Sequence, residues 1–332
     1  MFKRFLKIIS IGLVSTIALL LIAGLLYQYI STKIDDAKYP PPGRMVDVGG
    51  YRLHIYCTGN SGGPTVILDA GGGNSSFDWD QVQPGIAKCA RVCNFDRAGS
   101  GWSDASPNPR TSKYMVEELH TLLKNSNTPG PYVLVGHSFG GANARLYAST
   151  YPDDVAGIVL VDASHEDQLE KIPQFPEQTW LKVLKMFPRF LTSTGIVRLL
   201  NHMHSVPNDP NNPYDNEALK LAKRSTTKYI VTTMQEYKGF AESLNELKAS
   251  GGMLDNKPLT VITAGKELTG NGGGYSKQFV DEYNAAWQAL QKDLVTKSTR
   301  GKQIIIKNSG HDIPREQPQV IVDAVCEMVK SI

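Results

Sequence analysis

The chain reads as an α/β protein with a mostly parallel sheet covered by helices on both faces, and three observations lead there. Short unbroken apolar runs recur along it: PTVILDA, RVCNFD, YVLVGH, GIVLVDA, LTVITAG and QIIIKNSG. A strand buried on both faces has no polar side to show, so it reads as a continuous run rather than an alternating one. Segments of helical periodicity lie between several of these runs, the pattern of strands joined by crossover helices. The alternation stops between residues 164 and 254, where only helical patterns are found, so a helical insertion is expected between two strands. The 332 residues suit one large domain or two small ones.

Taken in order, Lys3, Arg4 and Lys7 precede residues 8–32, which carry no charge. At about 1.5 Å per residue this stretch is long enough to cross about 30 Å of hydrocarbon. Tyr27 and Tyr29 stand where interfacial aromatics would anchor its far end, and the flank beyond (Lys33, Asp35, Asp36, Lys38) is balanced in charge. The expectation is a cytoplasmic stub over 1–7 and a single-pass membrane anchor over 8–32. A proline-rich linker over 33–45 follows, and all that comes after is extracytoplasmic. A cleaved signal peptide is the alternative. It calls for a shorter apolar region and a small-x-small site, which YQYISTK does not offer. Either way the remainder is exported.

VDVGGYRLHIYCTG alternates around a Gly-Gly turn and predicts a hairpin. The sheet is then expected from residues 46–163 and 255–332, with helices in TSKYMVEELHTLLKNS, ANARLYASTYP, KQFVDEYNAAWQALQKDL and PQVIVDAVCEMVKSI. Within the insertion, 164–254, Trp180, Phe187, Phe190 and Met203 could line an apolar acyl pocket, but packing of helices onto a core is the simpler use of such residues. The net charge of +3 is spread along the chain with no basic block, so nucleic-acid binding has no support. Four cysteines are few for a disulfide scaffold; in an oxidising compartment Cys57 could pair with Cys93 or with Cys89, or all four could be small buried hydrophobes. Nothing in the sequence speaks to oligomeric state.

Gly136-His137-Ser138-Phe139-Gly140 follows the strand pattern YVLV and opens a helix of small residues. A serine at the tip of so tight a strand-to-helix turn takes a strained conformation, and glycines two residues to either side let strand and helix approach closely. Ser138 could instead be an ordinary N-cap. A dinucleotide-binding turn would require glycine at position 138, and a P-loop would end in Gly-Lys-Ser/Thr, which neither glycine cluster does.

A serine nucleophile needs a base, an acid and an oxyanion hole. Of seven histidines, His311 alone falls in a loop between the last strand pattern and the last helix, at the sheet edge where ligands gather. His137 should point away from Ser138; His54 lies in a strand and His120 in a helix; His165 follows a strand end; and His202 and His204 in the insertion make a poor metal site. Two carboxylates end strands between Ser138 and His311: Asp162, after GIVLVDA, and Glu267, after LTVITAGK. Asp162 is preferred, and the choice stays open. The oxyanion donors are expected to be the backbone N–H groups of Phe139 and of Gly72 in AGGGNSSFDW, with Gly71 or Gly73 as neighbouring choices.

These segments, with NFDRAGSGWSD at 94–104, VLVDASHED and SGHDIPREQP, resemble the α/β-hydrolase superfamily over residues 46–332. The resemblance implies a mainly parallel eight-stranded sheet with a helical cap inserted after the sixth strand, and it makes NFDRAGSGWSD structural, with no chemistry for Asp96 or Arg97. Two positions depart from the family pattern. Ala70 stands where histidine is common, and AGKEL stands where the acid aspartate usually follows the seventh strand, although some relatives carry the acid after the sixth, as Asp162 does. Ser138 disfavours the branches with an aspartate nucleophile. The expected activity is hydrolysis of an ester or amide of a small-molecule or acyl substrate through an acyl-enzyme, without a cofactor. A ligand-sensing protein without turnover and an acyltransferase are the alternatives.

Overall fold

Every apolar run of the sequence becomes one strand of a single sheet in the computed structural model, which describes residues 2–60, 62–174, 188–203, 220, 223–266 and 275–332. The strands are β1 Arg44–Asp47, β2 Arg52–Thr58, β3 Thr65–Asp69, β4 Val92–Phe95, β5 Tyr132–His137, β6 Val155–Val161, β7 Leu259–Ala264 and β8 Gly301–Ile306. Their order is β1-β2-β4-β3-β5-β6-β7-β8. The pairs β1–β2 and β2–β4 are antiparallel, the first being the expected hairpin; from β4 through β8 all neighbours are parallel.

Described helices of six residues or more are α1 Phe2–Lys38, α2 Ser112–Asn125, α3 Phe139–Thr150, α4 Pro188–Ser193, α5 Ile196–Met203, α6 Thr227–Ala249, α7 Lys277–Val295 and α8 Pro318–Ser331. The two faces of the sheet carry separate cores. On β3, β5 and β6, Ile67, Leu134 and Leu160 pack with Leu122 of α2, Tyr147 of α3 and Leu294 of α7. Their neighbours Leu68, Val135 and Val161 point the other way, against Ile321, Val325 and Met328 of α8. Because successive strand residues alternate in direction, two covered faces require apolar residues at every position. Each such side chain removed from water contributes about 1.5–3 kcal/mol.

The chain forms two compact units: residues 1–40 with 177–231, and residues 41–176 with 232–332. The expected insertion therefore divides, its middle grouping with α1 and its two ends with the sheet. Among the described residues of 164–254 there is no strand. Trp180, Phe187 and His204 lie outside the described residues, as do the side chains of His202 and Met203.

The N-terminal boundaries differ from expectation. One helix runs from Phe2 to Lys38, taking in both the basic stub and the first part of the linker. Residues 33–38 contain no breaker, and Tyr39 N–H still donates to Asp35 O at 2.8 Å before Pro40 stops the helix. Only residues 39–43 separate α1 from β1. Two disulfides are present, where one was expected at most. Cys57–Cys93 joins facing residues of β2 and β4, and Cys89–Cys326 joins the segment before β4 to α8.

Candidate active site

The turn between β5 and α3 is built around Ser138. Its backbone sits at φ 51°, ψ −119°, a region costly for a residue with a Cβ. Neighbours hold it there: Ser138 N–H donates to Val161 O at 3.0 Å, and Ser138 O accepts from Gly141 N–H at 3.0 Å and from Ser164 N–H at 2.9 Å. The flanking glycines are required by close approach. A Cβ on Gly136 would run into the carbonyl of Gly140, and one on Gly140 into the carbonyls of Asp69 and Ala70. The Ser138 side chain makes no capping hydrogen bond to α3. Its position is half-buried.

Asp162 follows β6 directly, also at positive φ (42°). One carboxylate oxygen, Oδ1, accepts from Ala264 N–H and from the Trp287 indole Nε1–H, both at 3.0 Å. The other, Oδ2, lies 2.6 Å from His311 Nδ1. The acid is 1% exposed and the imidazole 51%, so a dry carboxylate holds a wet base. With Nδ1–H donating to Asp162, the lone pair is on Nε2. The loop carrying His311, after β8, is fixed by Glu316, whose carboxylate accepts from Gly310 N–H at 2.8 Å and Ser309 Oγ–H at 3.2 Å. The Trp287 ring stands edge-on to His311 with centroids 5.7 Å apart.

His137 points toward His311 rather than into solvent. Its Nε2–H donates to the His311 carbonyl at 2.9 Å. Burial, with His311 nearby, pushes the His137 imidazole down to about 4, so it is neutral. Other described histidines are held elsewhere. His54 is buried against Asp96 at 2.9 Å, His165 lies 2.8 Å from Asp293, and His120 stacks on Tyr151. Glu267, the other candidate acid, lies outside the described residues.

The glycine loop after β3 lies against the serine turn. A Cβ on Gly71 would stand 3.5 Å from Ser138 Cβ, and one on Gly72 would stand 3.6 Å from Phe139 Cβ. Phe139 is the first residue of α3, so its N–H has no partner within the helix. Arg97, to which the sequence assigned no chemistry, secures this loop. Its guanidinium donates to Ala70 O at 2.7 Å, Gly71 O at 2.6 Å, Asp69 Oδ1 at 2.6 Å and both Glu236 oxygens. Glu236, from α6, also accepts from Gly73 N–H at 2.8 Å. Burial alone would lower the Arg97 pKa, but Glu236 and Asp69 outweigh it and hold the guanidinium charged. Because a trans peptide points its C=O and N–H in opposite directions, fastening Gly71 O to Arg97 turns the Gly72 N–H away from that ion cluster.

Trp287, Glu316, His137, Arg97 and Glu236 are thus parts of the site that the sequence did not announce. Arg97, His137 and Glu316 stood in quoted motifs but were given no part there. Trp287 and Glu236 touch the site through partners far away in sequence, and no local pattern marks them.

A sheet of this order, with a strained serine after its fifth strand and an aspartate–histidine pair after its sixth and eighth, places the chain in a known class. Residues 64–316 match the model of the α/β-hydrolase fold, and the chain belongs to that family. It is 26% identical over 281 residues to an uncharacterized protein, YqjL, of Bacillus subtilis, covering 85% of this chain and 89% of that one. Epoxide hydrolase 3 of Xenopus tropicalis is 23% identical over 298 residues, covering 86% and 77%. A thermophilic esterase from Thermogutta terrifontis superposes with a TM-score of 0.57 at 19% identity, covering 86% of this chain and 96% of that one. Against a longer uncharacterized protein of Schizosaccharomyces pombe the chain spans about half, 54% of that protein.

Proposed function

We propose that the protein is a membrane-anchored serine hydrolase acting on an ester or amide of a small-molecule or acyl substrate. The observation that carries this reading is the Asp162–His311 contact on the edge where Ser138 is held at positive φ. In this reading Ser138 Oγ attacks the substrate carbonyl as His311 Nε2 takes its proton. Asp162 fixes the imidazole and stabilises its charged form. The amides of Phe139 and Gly72 bind the developing oxyanion, the latter aimed by Arg97. His311 returns the proton to the leaving group, and water resolves the acyl-enzyme by the same relay. No step calls for a cofactor.

Esterase and epoxide hydrolase relatives both support hydrolysis as the general activity. The epoxide branch of the family uses aspartate where this chain has Ser138, which favours acyl chemistry. The long apolar helix supports anchoring in a membrane, and the basic residues before it support an N-terminus in the cytoplasm. Two disulfides support a hydrolase domain in an oxidising, extracytoplasmic compartment. A fluorophosphonate probe should label the purified wild type and leave Ser138→Ala unlabelled; equal labelling of the two would sink the proposal.

A further inference from the structure

The unit that contains α1 is assembled the wrong way out for water. Along α1 from Gly24 onward, the stripe that turns inward holds Gly24, Gln28, Ser31 with Thr32, and Asp35, three or four residues from one turn to the next. Leu25, Leu26 and Ile30, between them, are exposed. A helix docking in water does the reverse, hiding its apolar stripe and showing its polar one.

The segment docked against it is inverted in the same sense. On α4, α5 and the turn between them, Thr192, Thr194 and Arg198 are buried, Arg198 to 2% exposure. Phe190, Ile196, Leu199 and Leu200 are each about half exposed, from 49% to 56%. Inside, the polar groups satisfy one another. Arg198 donates to Gln28 Oε1 at 3.1 Å, to Thr32 Oγ1 at 3.2 Å and to Asp35. Gln28 Nε2–H donates to Ser225 O at 2.9 Å.

The backbones meet at glycine. A Cβ on Gly24 would run into the carbonyl of Thr194, and one on Gly195 would stand 2.7 Å from Tyr27 Cδ1. Small residues at a crossing, reinforced by polar bonds between helices, are how helices associate where the solvent is hydrocarbon and apolar contact brings no advantage.

The level of the contact matters as much as its chemistry. Gly24 lies within the uncharged run 8–32, about 12 Å along the helix before Thr32. The 194–195 turn therefore reaches about that far below the end of the span, close to the thickness of one leaflet's hydrocarbon. Arg198 pairs with Asp35 just past the end of the run, where a buried charge meets the aqueous boundary.

We infer that residues 188–200 are a membrane element. With the last third of α1 they form a wedge inserted into the leaflet by which the anchor leaves the bilayer. Phe190, Ile196, Leu199 and Leu200 face lipid acyl chains, and Arg198 faces inward to the anchor. This rests on the reading of α1 as a membrane span. It makes the middle of the helical insertion a lipid-facing surface rather than a water-facing lid.

The test uses the full chain in bilayer nanodiscs, where the four native cysteines are bridged and leave added ones free to label. Fluorophores are placed by Phe190→Cys and Leu199→Cys. Leu19→Cys in mid-span and Lys292→Cys at an exposed position of α7 are the controls. Quenching by nitroxide lipids at positions 190 and 199 should match that at 19, and severalfold less quenching by a water-soluble agent should be seen than at 292. Quenching of 190 and 199 from water, or from neither phase, with 19 quenched from lipid, overturns this inference and leaves the anchor intact. Water quenching at 19 overturns the anchor, and the inference with it.

Discussion

Asp162 presents one carboxylate oxygen to a backbone amide and an indole, and the other to His311. The first two bonds fix its plane, so the third sets the tautomer and tilt of the imidazole. Asp162→Asn keeps the shape and replaces the oxygen charge with an amide, which can reverse that tautomer. It should lower kcat about 10³–10⁴-fold with little change in KM or melting temperature. Glu267→Ala should keep wild-type turnover; if that variant is the one that loses activity, the acid is misassigned. His137 has a different signature. Its neutral imidazole faces the His311 ring, the His311 carbonyl and, further off, Asp162. The unfolded chain takes up its proton near pH 6.5, while the native protein resists until about 4. The contribution of this group is therefore present in full above pH 6.5. It is lost as the pH falls toward 4, by about 3 kcal/mol at the end. His137→Gln keeps a donor for the carbonyl but cannot titrate. Urea unfolding of both forms from pH 7 to 4 should show a shallower loss in the variant, and parallel curves would refute the assignment.

Among the elements, α6 joins two stories, since it supplies Glu236 to the glycine loop of β3. Arg97 is bound to Asp69, to two loop carbonyls and to Glu236 in a space with almost no water. Removing one partner leaves a buried charge short of its counterions, which costs about 3–5 kcal/mol. Glu236→Ala should therefore lower the unfolding free energy by that much, and it should lower kcat as the Gly72 and Gly73 amides lose their fixed direction. A stability unchanged within error would show that the cluster carries no such strain. This element also marks where sequence reading stops. The strands were legible because a doubly covered strand must be apolar throughout, and Ser138, Asp162 and His311 were legible because each follows such a run. Glu236 sits on a helix at ordinary spacing, 139 residues from Arg97, and nothing local distinguishes it from a surface carboxylate. Trp287 is hidden in the same way on α7. The end of α1 was not legible for another reason: residues 33–38 are charged but helix-compatible, and charge can end an uncharged run without ending a helix.

Across the whole molecule, the two disulfides tie down different amounts of chain. Cys57–Cys93 spans 36 residues and joins strands already hydrogen-bonded to each other, so most of its constraint repeats what the ladder imposes. Cys89–Cys326 spans 237 residues and fastens α8, which packs on one face of the sheet, to the approach to β4. Closing so long a loop removes far more freedom from the unfolded chain than closing the short one, since the entropy lost grows with the logarithm of loop length. The bridge holds α8 at Cys326, in its second half, so without it that end of the helix can fray. Cys89→Ser/Cys326→Ser should therefore cost about 2–5 kcal/mol, more than Cys57→Ser/Cys93→Ser, and should speed hydrogen exchange first in 318–331. Reductant should destabilise the wild type at least as far as the double variant, and should move that variant less, since only Cys57–Cys93 remains in it to break. Because Ile321 and Val325 pack beneath β5 and β6, whose ends carry Ser138 and Asp162, loss of this bridge should lower activity at temperatures well below global unfolding. If exchange in 318–331 proved no faster in the variant than in the wild type, the helix would owe its hold to the core alone.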